Sequence, residues 1–269
     1  MKRSYAVITG ASSGIGACFA RKLAEEGYAI VLVARRRERL MKLSGELEAK
    51  GAHVMIETAD LSHKDECLRL MSALGDKHIG VFINNAGFGD CGRFTETSLD
   101  KDLDMIDVNV RAVHILTKLV LRKMKAQGGG YLLNVASSAG LIPAGPYMAT
   151  YYATKAYVAS MTRAVARELK EEGSRVYIGA LCPGPVDTEF NSVANVEFAL
   201  PGITPEYCAD YAIRQMKRRK VVIVPTLALK AATTMGRFIP QSVYIAIAGH
   251  QQKKKMSRDL YILLLILFK

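Results

Sequence analysis

TGASSGIG, Thr9 to Gly16, follows a short β-rich run, YAVITG, and passes without a break into ACFARKLAEEGY, where Phe19, Leu23 and Ala24 recur at helical spacing. A glycine-rich turn between a strand and a helix has a specific use. Gly10 permits the tight turn, Gly14 lets the backbone approach a pyrophosphate, and Gly16 lets helix and strand pack closely. The helix start then offers unpaired N–H groups and a positive dipole end to phosphate oxygens. The contacts expected from this turn are Gly10, Ser12, Ser13, Gly14, Ile15 and Gly16. Such a turn alone is a weak signal; its position between a strand and a helix, at the head of an alternating chain, strengthens it.

The alternation continues outward from there. AIVLVA is an apolar run of strand length, and RERLMKLSGELEAKG is helical, with Leu40, Leu43 and Leu47 on one face and Gly51 closing it. HVMIETADL reads as a strand, 64–74 as a helix, IGVFINNAG as a strand and 103–125 as a long helix. YLLNVAS, a helix over 151–172, RVYIGALCPG and a short strand in KVVIVP complete the run. Alternating strands and helices with this hydrophobic pattern predict an α/β fold: a single Rossmann-type, doubly wound domain whose parallel sheet of about seven strands has helices on both faces. The expected division is a nucleotide-binding and catalytic domain over 1–250 and a basic, apolar C-terminal tail over 251–269.

Half of the 269 residues are apolar and 23% are charged, enough for one substantial core and too apolar for disorder. The formal charge of +12 gathers partly in Arg35–Arg37, Lys217–Lys220 and Lys253–Lys255, without an aromatic-rich basic stripe, so no nucleic-acid partner is expected. Five cysteines lack C-x-x-C spacing, which reads as reduced thiols and no metal site. YAVITG begins so close to Met1 that no leader is expected, and the expected location is cytoplasmic. The tail ends in nine apolar residues, Leu260–Phe268, against the about 20 that span a bilayer. Packing on the body or on another subunit is the first reading of this tail. Peripheral membrane contact helped by Lys253–Lys255 is the second.

The second strand ends VLVARRR, where a site for NAD would place a carboxylate on the ribose. Here Arg35 and Arg36 stand instead, and no carboxylate comes before Glu38. Guanidinium groups at this point suit a 2′-phosphate, so NADP(H) is the expected cofactor. Cations also sit badly at a helix start, so an anionic group is expected to compensate them.

YYATK, Tyr151 to Lys155, sets two phenols beside one ammonium. Residues at i and i+4 share a helix face, which pairs Tyr151 with Lys155. Tyr152 stands at i+3 from the lysine, also within reach in principle, and points about 100° further around the helix. Tyr-x-x-x-Lys alone is also found on ordinary surface helices. With TGASSGIG, ADL at 59–61, NNAG at 84–87, Asn109 in DVNV, NVASS at 134–138 and PGPVDT at 183–188, the chain resembles the short-chain dehydrogenase/reductase family over roughly residues 5–190.

That resemblance implies roles. Tyr151 exchanges a proton with the substrate oxygen, Lys155 holds the nicotinamide ribose and tunes the phenol, and Asn109 continues a water-linked proton path. Asp60 and Leu61 lie against the adenine; Asn85, Ala86 and Gly87 form the nucleotide floor; Pro183, Gly184, Val186 and Thr188 bracket the nicotinamide. A phenol with pKa near 10 needs a downward shift for this work, and the ammonium is expected to supply part of it. A serine after the fifth strand should bind the substrate oxygen. Counting from Asn134 selects Ser137, and counting back from Tyr151 selects Ser138. The strand count is the firmer rule, because loops absorb insertions, and Ser138 is the alternate.

The pocket expected from Phe88, Phe94, Leu141, Ile142, Pro143, Tyr147, Met148 and 190–201 is apolar, which points to a steroid-like or acyl-chain ketone and its alcohol. The C-terminal part lacks the glycine-rich ending of the oxoacyl-carrier-protein reductase branch and looks more like the hydroxysteroid dehydrogenase and long-chain ketoacyl reductase branch. A 3-oxoacyl thioester reductase and a catalytically silent NADP-binding scaffold or sensor are the alternatives. The family also implies a homo-oligomer, dimer or tetramer.

Overall fold

In the computed structural model, which describes residues 3–194 and 202–253, a parallel sheet runs in the order β3-β2-β1-β4-β5-β6-β7. The strands are β1 Ser4–Thr9, β2 Ala29–Ala34, β3 Val54–Thr58, β4 His78–Asn84, β5 Gly130–Val135, β6 Val176–Leu181 and β7 Val222–Ile223. The helices between them are α1 Gly14–Glu25, α2 Arg37–Ala49, α3 Lys64–Leu74, α4 Leu99–Ile106, α5 Val113–Ala126, α6 Ala149–Glu171, α7 Phe190–Val193, α8 Pro205–Lys217 and α9 Leu227–Met235.

Strand periodicity explains the two helical layers. Successive residues of a strand face opposite sides. Ile8, Leu32, Ile83 and Leu133 pack with Phe19, Leu23, Leu40 and Ile213 from α1, α2 and α8. Their neighbours Val7, Val31, Phe82 and Leu132 pack with Leu70, Leu74, Leu116 and Leu169 from α3, α5 and α6. Apolar residues at both phases of each central strand are what a sheet covered on both faces requires.

Strand order reverses between β1 and β4, which opens a crevice beyond their C-terminal ends. Side-chain bonds pin that edge. The Thr9 hydroxyl donates to the Ile83 carbonyl at 3.3 Å and accepts the Asn85 and Ala86 N–H groups at 2.9 and 3.0 Å. Deeper in, Asn84 donates to Asn134 and Thr117, and Asn134 donates to Thr162, a fully buried network joining β4, β5, α5 and α6.

Two details differ from the sequence expectation, and the C-terminal region, apolar and helical in its sequence, is helical on either side of a turn. The long helix is interrupted by a π-helical turn, Asp107–Ala112, between α4 and α5. The strand in KVVIVP is reduced to Val222–Ile223. The chain beyond α9 makes a 3-10 turn, Gly236–Phe238, and is helical over 241–253. The tail over 254–269 and the segment 195–201 lie outside the described residues.

Candidate active site

A cavity of ≈ 1060 Å³ occupies the crevice and reaches from the glycine turn to α6 and α9. Of the expected catalytic and cofactor residues, Gly16 and Asn109 are not on its lining, and the others line it.

The turn at 9–16 is closed by main chain. Gly10 and Gly14 have φ of +65° and +53°, a region that strains any residue with a Cβ. A Cβ on Gly10 would lie 2.9 Å from Ala86 Cα; one on Gly16 would meet the Gly10 carbonyl oxygen and stand 2.6 Å from Asn85 Nδ2. Asn85 Nδ2 itself donates to the Thr9 and Gly10 carbonyls at 3.0 and 3.2 Å. The α1 N-cap, Ser13, makes no side-chain cap bond. The bare backbone at a helix start fits a pyrophosphate.

At the ribose end the cations already have carboxylate partners within the chain. Arg35 stands 3.7 Å from Asp60. Arg36 donates to Glu189 at 3.1 Å and to Ser12 and Ser13 at 3.0 and 2.9 Å. Arg39 donates to both oxygens of Glu189, at 2.5 and 2.7 Å. The compensating anion anticipated at this helix start is therefore partly a protein carboxylate from the segment after Thr188.

Tyr151 and Lys155 sit one turn apart near the start of α6, both buried. The Lys155 Nζ lies 5.8 Å from the Tyr151 ring centroid and donates to the Val135 carbonyl at 3.0 Å. The π-helical turn carries Asn109 inward. Its Nδ2 donates to the Phe88 carbonyl at 2.8 Å and to Thr154 at 3.1 Å, and its Oδ1 accepts the Phe88 N–H. A Cβ on Gly87 would stand 2.8 Å from Asn109 Oδ1 and 3.2 Å from Lys155 Nζ, so the three residues meet closely and a larger residue would displace those side chains. π-helical turns of this kind recur at functional sites.

Ser137 caps the short 3-10 turn Ser138–Leu141, its hydroxyl accepting the Ala139 N–H at 3.1 Å, and it stands beside the Tyr151 phenol. Ser138 lines the cavity too, but what it fixes is backbone, its N–H donating to the Pro183 carbonyl at 2.8 Å. The two tyrosines part company. Tyr151 faces Ser137 and packs its ring 5.5 Å from that of Phe190, whereas the Tyr152 hydroxyl accepts a 2.6 Å bond from Gln252 in the C-terminal helix.

The electrostatics differ from the expected downward shift of the phenol. Burial pushes Tyr151 up to about 12, opposed by the neighbouring Ser137 hydroxyl. Burial also lowers Lys155 to about 8. At about 8 the amine still carries its proton at neutral pH, but burial of the phenol outweighs what an adjacent ammonium offers.

On the substrate side, Phe88, Ile142, Met148 and Phe190 line the cavity as expected. Phe94 does not: it is 68% exposed. Leu141, Pro143 and Tyr147 also stand off the lining. Leu229, Gln251 and Gln252 take part instead. Paired glutamines closing an apolar helical stretch were the available sequence signal for them. Among the described residues, no helix is long and apolar enough to cross a membrane.

The family model described as short chain dehydrogenase matches residues 4–197. A very-long-chain 3-oxoacyl-CoA reductase of Anas platyrhynchos is 33% identical over 216 residues, 78% of this chain and 68% of that protein. The 17-beta-hydroxysteroid dehydrogenase type 3 of Mus musculus is 32% identical, over 71% of this chain and 63% of its own length. A short-chain dehydrogenase from Sphingobium yanoikuyae, solved with NADPH, aligns with a TM-score of 0.78 and 32% identity, covering 88% of this chain and 97% of that one. One from Burkholderia phymatum, solved with NAD, aligns with a TM-score of 0.79 and 27% identity, covering 87% and 92%.

Proposed function

The chain belongs to the short chain dehydrogenase family of oxidoreductases, and from that premise we propose that it uses NADP(H) to interconvert an apolar ketone and its secondary alcohol. The observation that carries this reading is the meeting of Ser137, Tyr151 and Lys155 on the wall of the cavity that the glycine turn opens.

A bound nicotinamide supplies or accepts the hydride. The chain's own residues do the rest. Ser137 and Tyr151 both line the cavity, where their hydroxyls would polarise and protonate a carbonyl oxygen. A phenol held near 12 stays protonated at neutral pH, which loads it for donation and suits reduction. Lys155, anchored on the Val135 carbonyl, positions the ribose and refills the phenol. Asn109 grips Phe88 from both sides, keeping that wall beside Lys155 and continuing the proton path outward. Arg35 and Arg36 favour a 2′-phosphate over a bare ribose.

The apolar lining supports a steroid- or acyl-chain-like substrate. The resemblance to a very-long-chain 3-oxoacyl-CoA reductase favours a 3-oxoacyl thioester as the second reading. The proposal extends to a cytoplasmic homo-oligomer with peripheral membrane contact through the C-terminal region. There Leu227, Met235 and Phe238 are 83%, 67% and 88% exposed, and Lys253 follows. Vesicle co-sedimentation and analytical ultracentrifugation test those two points.

The direct test is NADPH oxidation at 340 nm against steroid ketones, β-ketoacyl thioesters and small diketones, with NADH in parallel. Turnover that prefers NADPH, relaxes in Arg36→Ala and disappears in Tyr151→Phe is the expected result. Equal rates with NADH would overturn the NADP(H) assignment. NADPH binding with no turnover on any ketone would favour a silent scaffold.

A further inference from the structure

We propose that Glu189 is a displaceable counter-ion that sets how strongly the site selects a 2′-phosphorylated cofactor, an inference resting on the NADP(H) reading above. Glu189 follows Thr188 directly and forms the N-cap of α7, yet its carboxylate reaches back to Arg36 and Arg39 at the start of α2, more than a hundred residues earlier. It lines both the ≈ 1060 Å³ cavity and a neighbouring cavity of ≈ 500 Å³ that carries Arg21, Arg39 and Lys42.

The geometry makes this a competition for one guanidinium. Arg36 spends its donors on Ser12, Ser13 and Glu189, the same edge of the glycine turn from which a 2′-phosphate would be read. A carboxylate and a phosphate cannot both take the Nη1 edge. Arg39, which holds both Glu189 oxygens, stands on the far side and faces the second cavity. When the phosphate takes Arg36, Arg39 keeps the carboxylate, so no charge is left unpaired. All three side chains are nearly half exposed, so the resident pairs are weak enough to exchange. The arrangement penalises the phosphate without excluding it. A nucleotide lacking it does not compete with Glu189 for that guanidinium edge.

The test measures binding of 2′,5′-ADP and of 5′-AMP to the intact protein by calorimetry. Glu189→Gln should tighten 2′,5′-ADP by about three- to tenfold and leave 5′-AMP unchanged. Glu38→Gln, which removes the same charge from an exposed carboxylate on α2, should leave both unchanged. The gain should vanish in Glu189→Gln with Arg36→Ala. No gain in Glu189→Gln, while Arg36→Ala still weakens 2′,5′-ADP, overturns the counter-ion and leaves the NADP(H) reading standing. An equal gain from Glu38→Gln reduces Glu189 to a general charge effect and also overturns it. Equal binding of 2′,5′-ADP and 5′-AMP in the parent and in Arg36→Ala overturns the NADP(H) reading itself.

Discussion

At one end of the cleft, Gly10 against Ala86 and Gly16 against Gly10 bring backbone to backbone so closely that a single Cβ has no room. At the other end, Phe88, Ile142, Met148, Phe190, Leu229 and Gln252 arrive from separate segments and enclose the cavity with side chains. The first end is fixed by main-chain geometry, which tolerates one residue type per position. The second is fixed by side-chain packing, which tolerates many combinations of similar volume. The nucleotide end should therefore fail sharply when altered, and the substrate end should fail by degrees.

Tyr151→Phe should give the largest effect, because it removes the acid where the two ends meet: a loss of about 10²- to 10⁴-fold in kcat. NADPH affinity by calorimetry should stay close to that of the parent. A large fall in that affinity would show that the phenol belongs to the nucleotide end. Gly16→Ala comes next. The added methyl forces the turn away from β1 and Asn85, costing roughly 1–3 kcal/mol in urea unfolding and weakening nucleotide binding. Unchanged stability would break the contrast at its rigid end.

Tyr152→Phe removes the bond to Gln252 and should cost about 1 kcal/mol or less. KM for a bulky ketone should rise several-fold while the KM for NADPH holds, and equal changes in both would blur the division. The smallest effect is a pH dependence. Lys155 is lowered to about 8, so between there and its ordinary value near 10.5 the unfolded chain binds the extra proton. Its unfavourable contribution is therefore largest below pH 8 and is relieved as pH rises above it. Lys155→Met should lose that part of the gain in Tm between pH 8 and 9.5.

The same contrast governs how much could be read from the sequence. Gly10, Gly14 and Gly16 were legible because local geometry demands glycine. The two helical layers were legible because both phases of each central strand are apolar. Tyr151 and Lys155 were legible as an i, i+4 pair. Phe94 was misplaced because apolar character does not say which side of a loop a ring takes. Gln252 was missed because its partner lies 100 residues away. Glu189 was missed for the same reason, although an unbalanced run of arginines at a helix start did signal that an anion was needed. The π-helical turn at Asp107–Ala112 has no residue pattern of its own, since it answers to what Asn109 must reach.

The strand order carries a consequence for synthesis. β1 is made well before one of its two partners, β4, which begins at His78, and Thr9 cannot make its bond to Ile83 until 74 further residues have followed. At roughly 5–20 residues per second, the glycine turn waits several seconds with one flank of β1 open. The Gln252 contact that finishes the far wall must wait for 100 residues after Tyr152. The substrate wall, which needs Leu229 and Gln252, is thus completed only after the nucleotide cradle at 9–16 and 84–87 has been made.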